Sequence, residues 1–123
     1  MQAKHDVLEE AFAKAASQLA ALRDRPEYVN VFERLANEAL DEFGDRGPDK
    51  LIVFVDARDL RICRAFFERK SIPYEIDTSK TFWGGLEIVS FDTRFKVSNT
   101  LEGRLAREKN GLLAPVAQIL FDD

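Results

Sequence analysis

Between Gly84 and Leu105 the chain gathers side chains that could do chemistry: Ser90, Asp92, Arg94, Ser98, Asn99, Glu102 and Arg104, led by Trp83 and the pair Gly84-Gly85. Asp92 with Glu87 or Glu102 would make an acid/base couple. Such a couple needs one carboxyl raised by burial or by a like charge, and the sequence supplies neither, so solvated hairpin residues are the simpler reading. The glycines could bring backbone close to a ligand, although such a pair more often permits a positive-φ turn into a strand. Phe82 and Trp83 could stack on a base, but without a basic groove beside them they read as packing residues. Arg94, Lys96, Arg104, Arg107 and Lys109 form a modestly basic end suited to water or to a protein partner.

Other chemistries find little material. His5 is the single histidine and Cys63 the single cysteine. An internal disulfide and a thiolate-rich zinc site are thereby excluded, and Ser-His-Asp or Cys-His catalysis would depend on one residue near the terminus. One unpaired cysteine fits a reducing, cytosolic setting. Cys63 itself falls on the apolar face of a helix and reads as inert core. A dinucleotide fold requires GxGxxG after its first strand; here that junction is VDARDL, without glycine, and no GxxxxGK[ST] occurs anywhere. The net charge of −4 comes from residues 1–50, with 11 acidic and 7 basic side chains, while residues 51–123 balance. A broad nucleic-acid face would need a basic excess instead. No run approaches the ~18 apolar residues of a membrane span, and no basic-then-apolar leader opens the chain.

The elements that must position these residues follow from periodicity. A length of 123 residues, 46% hydrophobic and 33% charged, suits one globular domain. Val7, Leu8, Ala11, Phe12, Ala15, Leu19 and Leu22 mark one face of a first helix. RDRPEY interrupts it, with Asp24 expected as N-cap and Pro26 in the first turn of a second helix. Tyr28, Phe32, Leu35, Ala36, Ala39, Leu40 and Phe43 line that helix until Gly44. The two form a hairpin, or the first continues a longer helix. LIVFV (51–55) reads as a strand covered on both faces. Asp56 is expected to cap a helix to about Arg69 that presents Leu60, Cys63, Phe66 and Phe67, before a short strand around Tyr74–Ile76. Strand-helix-strand of this kind predicts a parallel pair.

Residues 86–91 and 95–98 alternate as a hairpin whose Asp92-Thr93 turn is expected to be long or slightly strained, since Asp-Gly would suit a tight turn better. Asn99 and Glu102 then have the spacing of a capping box, Asn99 as N-cap and Glu102 reaching back. Leu101, Leu105, Leu112, Val116, Ile119, Leu120 and Phe121 follow on a C-terminal helical segment broken near Asn110-Gly111 and Pro115. The expected fold is α+β: two N-terminal helices, a mixed sheet of about four strands with the first strand central, and that helical segment. Core candidates are Phe32, Leu35, Leu51, Val53, Val55, Leu60, Phe67, Ile88, Leu101, Leu105, Val116 and Leu120.

In this order the pieces resemble the C-terminal domain of the E subunit of the V/A-type rotary ATPases. The motif is carried by Gly84, Gly85, Ser90, Asp92, Asn99, Thr100, Leu101, Glu102, Arg104 and Leu105, with Pro115 and Leu120-Phe121 closing it. The resemblance is most specific over residues 84–121. It implies that 1–22 end a stalk helix and that 23–123 form the globular domain. It implies a peripheral-stalk (stator) subunit of a proton- or sodium-translocating ATPase/ATP synthase, cytoplasmic and peripheral to the membrane. No catalytic residue, cofactor or metal is implied. The implied partners are the second stalk subunit, of the G/H type, and the N-terminal region of the headpiece B subunit; nucleic acid and membrane insertion are not implied. The family's long N-terminal helix is missing, which implies a truncated form or a shortened relative. Thr93 replaces a usual turn glycine, and Gly103 a usual alanine. The competing expectations are a small α/β ligand-binding domain or hydrolase using Asp56, Asp92 or Glu102, and a stand-alone relative that binds another helical partner.

Overall fold

The structure is a computed structural model that describes residues 2–44 and 50–108, with side chains from Glu9 onward. Helix α1 spans Gln2–Ala20, a 3-10 turn follows at Leu22–Asp24, and α2 spans Tyr28–Phe43. Strand β1 (Leu51–Val55) leads through a second 3-10 turn (Ala57–Asp59) into α3 (Leu60–Lys70), then come β2 (Tyr74–Asp77), β3 (Gly85–Ser90) and β4 (Lys96–Thr100). Residues 101–108 are helical and are called α4.

The strands form one mixed sheet in the order β2-β1-β3-β4, so β1 is central as expected. β1 pairs in parallel with β2, setting Val53 beside Ile76, and antiparallel with β3, setting Val53 beside Ile88. β3 and β4 form the hairpin, with Ile88 beside Val97. Both α2 and α3 lie on the face that carries Leu51, Val53, Val55, Leu86, Ile88 and Val97. The apolar stripe of α2 and Cys63, Phe66 and Phe67 of α3 complete one core there. Fully burying each such phenylalanine contributes about 1.5–3 kcal/mol. Burial also pushes the Cys63 thiol up to about 12, helped by the nearby Asp59 carboxylate. Cys63 is therefore a packing residue, not a nucleophile.

Several expectations are corrected. Among the described residues LIVFV is not covered by helices on both faces: Ile52 and Phe54 are only half-buried, because α2 and α3 share one side of the sheet. On the other side Lys80 Nζ lies 4.6 Å over the Phe54 ring and donates to Glu87 Oε1 at 2.8 Å. Asp24 does not cap α2, and Pro26 precedes the helix; α2 begins at Tyr28 after Glu27, without a side-chain cap. The residues before it turn tightly because Arg23 is drawn towards Asp59 and Leu22 packs on the core. α1 ends at Ala20, and among its described side chains Leu19 packs on the core. Val7 and Leu8 lie outside the described side chains. Leu60 and Leu105 are half-buried, while Val116 and Leu120 fall outside the described residues.

The hairpin loop is strained as expected, at Thr93 with φ 60°. A β-branched residue is poorly suited to that left-handed conformation. Thr93→Gly is expected to raise stability by about 0.5–1 kcal/mol, read from the urea midpoint; an unchanged or lower midpoint would show that the Thr93 hydroxyl bond to the Asp92 carbonyl outweighs the strain.

Candidate functional site

The residues singled out by sequence divide between the two ends of the β3–β4 hairpin. At the loop end, the Ser90 hydroxyl donates to Asp92 Oδ1 at 2.6 Å and accepts from the Phe95 N–H at 3.1 Å. Asp92 Oδ1 also accepts from the Arg94 N–H at 3.1 Å. These bonds, the Ser90 hydroxyl first, lower the Asp92 pKa. An exposed carboxylate held ionised in this way is a turn-former and a poor general acid. Ser-x-Asp therefore shapes the loop.

The other end lies five residues of β3 away, about 17 Å. Here Gly84, Gly85, Asn99, Thr100, Leu101 and Glu102 meet. Gly85 has φ 92°, and a Cβ on it would stand 2.3 Å from the Asn99 carbonyl oxygen. A Cβ on Gly84 would stand 2.7 Å from Leu101 and 2.8 Å from the Tyr28 hydroxyl. The pair thus lets β3 start tightly against β4 and α2.

The expected capping box is not formed. β4 runs on through Thr100, because Leu86 pairs with Asn99 and Gly85 with Thr100, so Asn99 is a strand residue. Its side chain is buried and donates to the Leu35 carbonyl at 2.8 Å, while its Oδ1 accepts from Arg104 at 3.4 Å. The cap passes to Thr100, whose Oγ1 accepts from the Gly103 N–H at 3.1 Å. Glu102 turns away from the helix start and accepts from the Trp83 N–H at 3.0 Å. Arg104 pairs with Glu38 of α2 at 2.9 Å. A Cβ on Gly103 would sit 2.9 Å from the Thr100 Oγ1, so glycine here leaves the cap room.

Three residues that the motif did not include organise this end. Asp59, 1% exposed, receives Arg23 Nε at 2.8 Å, Arg23 Nη2 at 3.1 Å and the Tyr28 hydroxyl at 2.7 Å. Arg23 Nη2 also donates to the Phe82 carbonyl at 2.9 Å, and the Tyr28 oxygen accepts from the Gly85 N–H at 3.3 Å. One carboxylate thus joins the turn after α1, the start of α2, the start of α3 and the glycine loop. Burial, then the bond to Asp59, pushes the Tyr28 phenol far above its ordinary value. Arg23 Nη1 is buried without a partner among the described residues. The signal in sequence was Asp56-x-x-Asp59 after an apolar strand, which reads as capping; only Asp56 caps, accepting from the Arg58 N–H at 3.0 Å.

Asp56 also accepts from the Arg58 guanidinium at 2.9 and 3.0 Å and from the Phe82 N–H at 3.1 Å. The Arg58 bond above all holds its carboxyl well below the usual range. On the open sheet face, burial pushes Glu87 up, but bonds from Lys80 and Ser98 outweigh it and the net shift is downward. None of Asp56, Asp92 and Glu102 faces another across a cleft; each is taken up by backbone N–H groups of its own surroundings. Among the described residues no group of three or more His, Cys, Asp and Glu side chains could hold a metal, and no helix is long and apolar enough to cross a membrane.

Asp59→Ala should destabilise the fold by about 3–5 kcal/mol in urea titration, because Arg23 is left buried without its counter-charge, and the double variant Arg23→Met/Asp59→Leu should recover most of that. A single-variant loss below about 1 kcal/mol, the size of an exposed pair, would contradict this. Asp56 gives a pH signature. Its folded pKa is depressed, so its contribution is present above the unfolded value of about 4 and is lost as pH falls towards the folded value. Asp56→Asn should therefore flatten the acid limb of stability below about pH 4; an unchanged acid limb would contradict that.

The whole chain also compares with known proteins. Residues 1–121 match the model of a family described as the ATP synthase (E/31 kDa) subunit family. An E subunit of the A-type ATP synthase of Methanospirillum hungatei, the one numbered 2, is 28% identical over 85% of this chain and 51% of its own length. The A-type E subunit of Methanobrevibacter smithii is 32% identical over 97% of this chain and 62% of its own. The V-type E subunit of Deinococcus radiodurans is 26% identical over 85% and 52%. The chain thus spans about half to three-fifths of the length of these relatives. With the match running from the first helix through the glycine pair and the hairpin to the C-terminal segment, the chain belongs to the E-subunit family of the ATP synthases.

Proposed function

We propose that this chain is the C-terminal foot of a peripheral stalk, the stator that keeps the headpiece of a V/A-type ATPase/ATP synthase from turning with its rotor. Residues 1–22 would be the end of the stalk helix and 23–123 the globular domain. It would be a non-catalytic, peripheral subunit supporting ATP synthesis or hydrolysis coupled to proton or sodium transport. Its partners would be the second stalk subunit and the N-terminal region of the B subunit.

One observation carries this reading beyond family membership: the buried Asp59 cluster at the root of α1. A lever is useful only if its base is stiff. Here the turn after α1 is held by a two-pronged guanidinium–carboxylate pair, a geometry that resists rotation as well as separation. The motif residues Ser90, Asp92, Asn99, Glu102 and Arg104 spend their polar groups on bonds within the domain, which suits a foot better than a binding pocket.

Co-expression with the second stalk subunit and the B subunit tests the proposal. A stable ternary complex is expected, together with no ATP hydrolysis by this chain alone. An intact, folded chain that binds neither partner would overturn the proposal, as would ATP hydrolysis by the isolated chain.

A further inference from the structure

The outward side of α3 differs from the rest of the surface. Arg61 and Arg64 stand three residues apart, hence on neighbouring turns of one face, with Arg58 just before them. They border a shallow, open depression of about 840 Å³ that Ala57, Leu60 and Ala65 also line. Arg58 is committed to Asp56. Arg61 and Arg64 are exposed and have no salt bridge or hydrogen bond among the described residues. Glu68, one turn beyond Arg64 and its natural intrahelical partner, bonds the Tyr74 hydroxyl at 2.7 Å instead.

This placement does not serve the helix. Cations in the first turns meet the positive end of the helix dipole, where carboxylates are the stabilising choice. Nor does it follow from composition, since the chain carries −4 overall. Two guanidinium groups with no salt bridge among the described residues, beside alanines and a leucine, suit a ligand that brings carboxylates and apolar side chains together, at the spacing of a helical turn. Small residues there allow such a helix to come close.

We propose that this face of α3 docks an acidic amphipathic helix of another subunit, with carboxylates on Arg61 and Arg64 and apolar side chains on Leu60 and Ala65. The assignment rests on the stator reading and adds to it the surface and the chemistry of the contact. A nucleic-acid or lipid phosphate would use the arginines but not the apolar side chains beside them.

The test uses the complex with the second stalk subunit and the B subunit. A photo-crosslinking amino acid in place of Ala65 should join a segment of one of them with acidic residues three or four apart. Arg61→Glu/Arg64→Glu should weaken binding to that partner at least ~10-fold, at unchanged melting temperature and with a steeper salt dependence in the wild type. Arg34→Glu on α2 should change nothing. Reversing the cross-linked carboxylates to lysine should restore the double variant. Full affinity of the double variant, or a crosslink to lipid, nucleic acid or a second copy of this chain, overturns the docking surface while leaving the stator reading in place. A wild-type chain that binds neither partner overturns both.

Discussion

The buried pair between Arg23 and Asp59 is the constraint on which the other contacts of this fold depend. A carboxylate taken out of water requires compensation from every side, and Asp59 obtains it from a guanidinium and a phenol that come from two different elements. Satisfying it fixes where the turn after α1 must lie, how α2 starts, and where the 82–85 backbone passes. The phenol then holds the Gly85 N–H, and the glycine pair can be nothing larger, since a Cβ at either position would enter Tyr28, Leu101 or the β4 backbone. The start of β3, the end of β4 and the root of α4 inherit their positions from that joint.

The arrangement suits the proposed stator role. Among the described residues the helices that pack on the sheet lie on one face, and the most deeply buried carboxylate, Asp59, is held by the turn where α1 meets the domain. Apolar burial supplies the bulk of stability but is tolerant of small slides. A fork of short hydrogen bonds is not, because its strength falls off over a few tenths of an ångström and with angle. If α1 ends a stalk helix, as proposed, such a fork at its base would give directional stiffness where bending moments would concentrate.

Much of the fold was legible from the sequence. The apolar stripe of α2, the β-branched run of β1 and the Asp56 cap state their own structure, since each is a local pattern. The family motif was legible too, but not what its residues do. Asn99 and Glu102 have capping-box spacing, and a local rule assigns them to one another. In the structure β3 draws Asn99 into the ladder and the Trp83 N–H claims Glu102, both partners being distant in sequence. Asp24 failed as a cap for the same reason: its neighbour Arg23 answers to a residue 36 positions away. Asp59 was missed because a carboxylate at a helix start has an ordinary explanation, and its real partners can be recognised only once the chain is folded.

The central claim, that this domain holds a motor still, is tested most directly by coupling. The measurement is the number of ions pumped per ATP hydrolysed by the membrane-bound complex, assembled with the wild-type chain or without it. Omission is predicted to leave ATP hydrolysis running while the ion-to-ATP ratio collapses, because the headpiece is free to turn with the rotor. An unchanged ratio in a complex shown to lack the chain would contradict it.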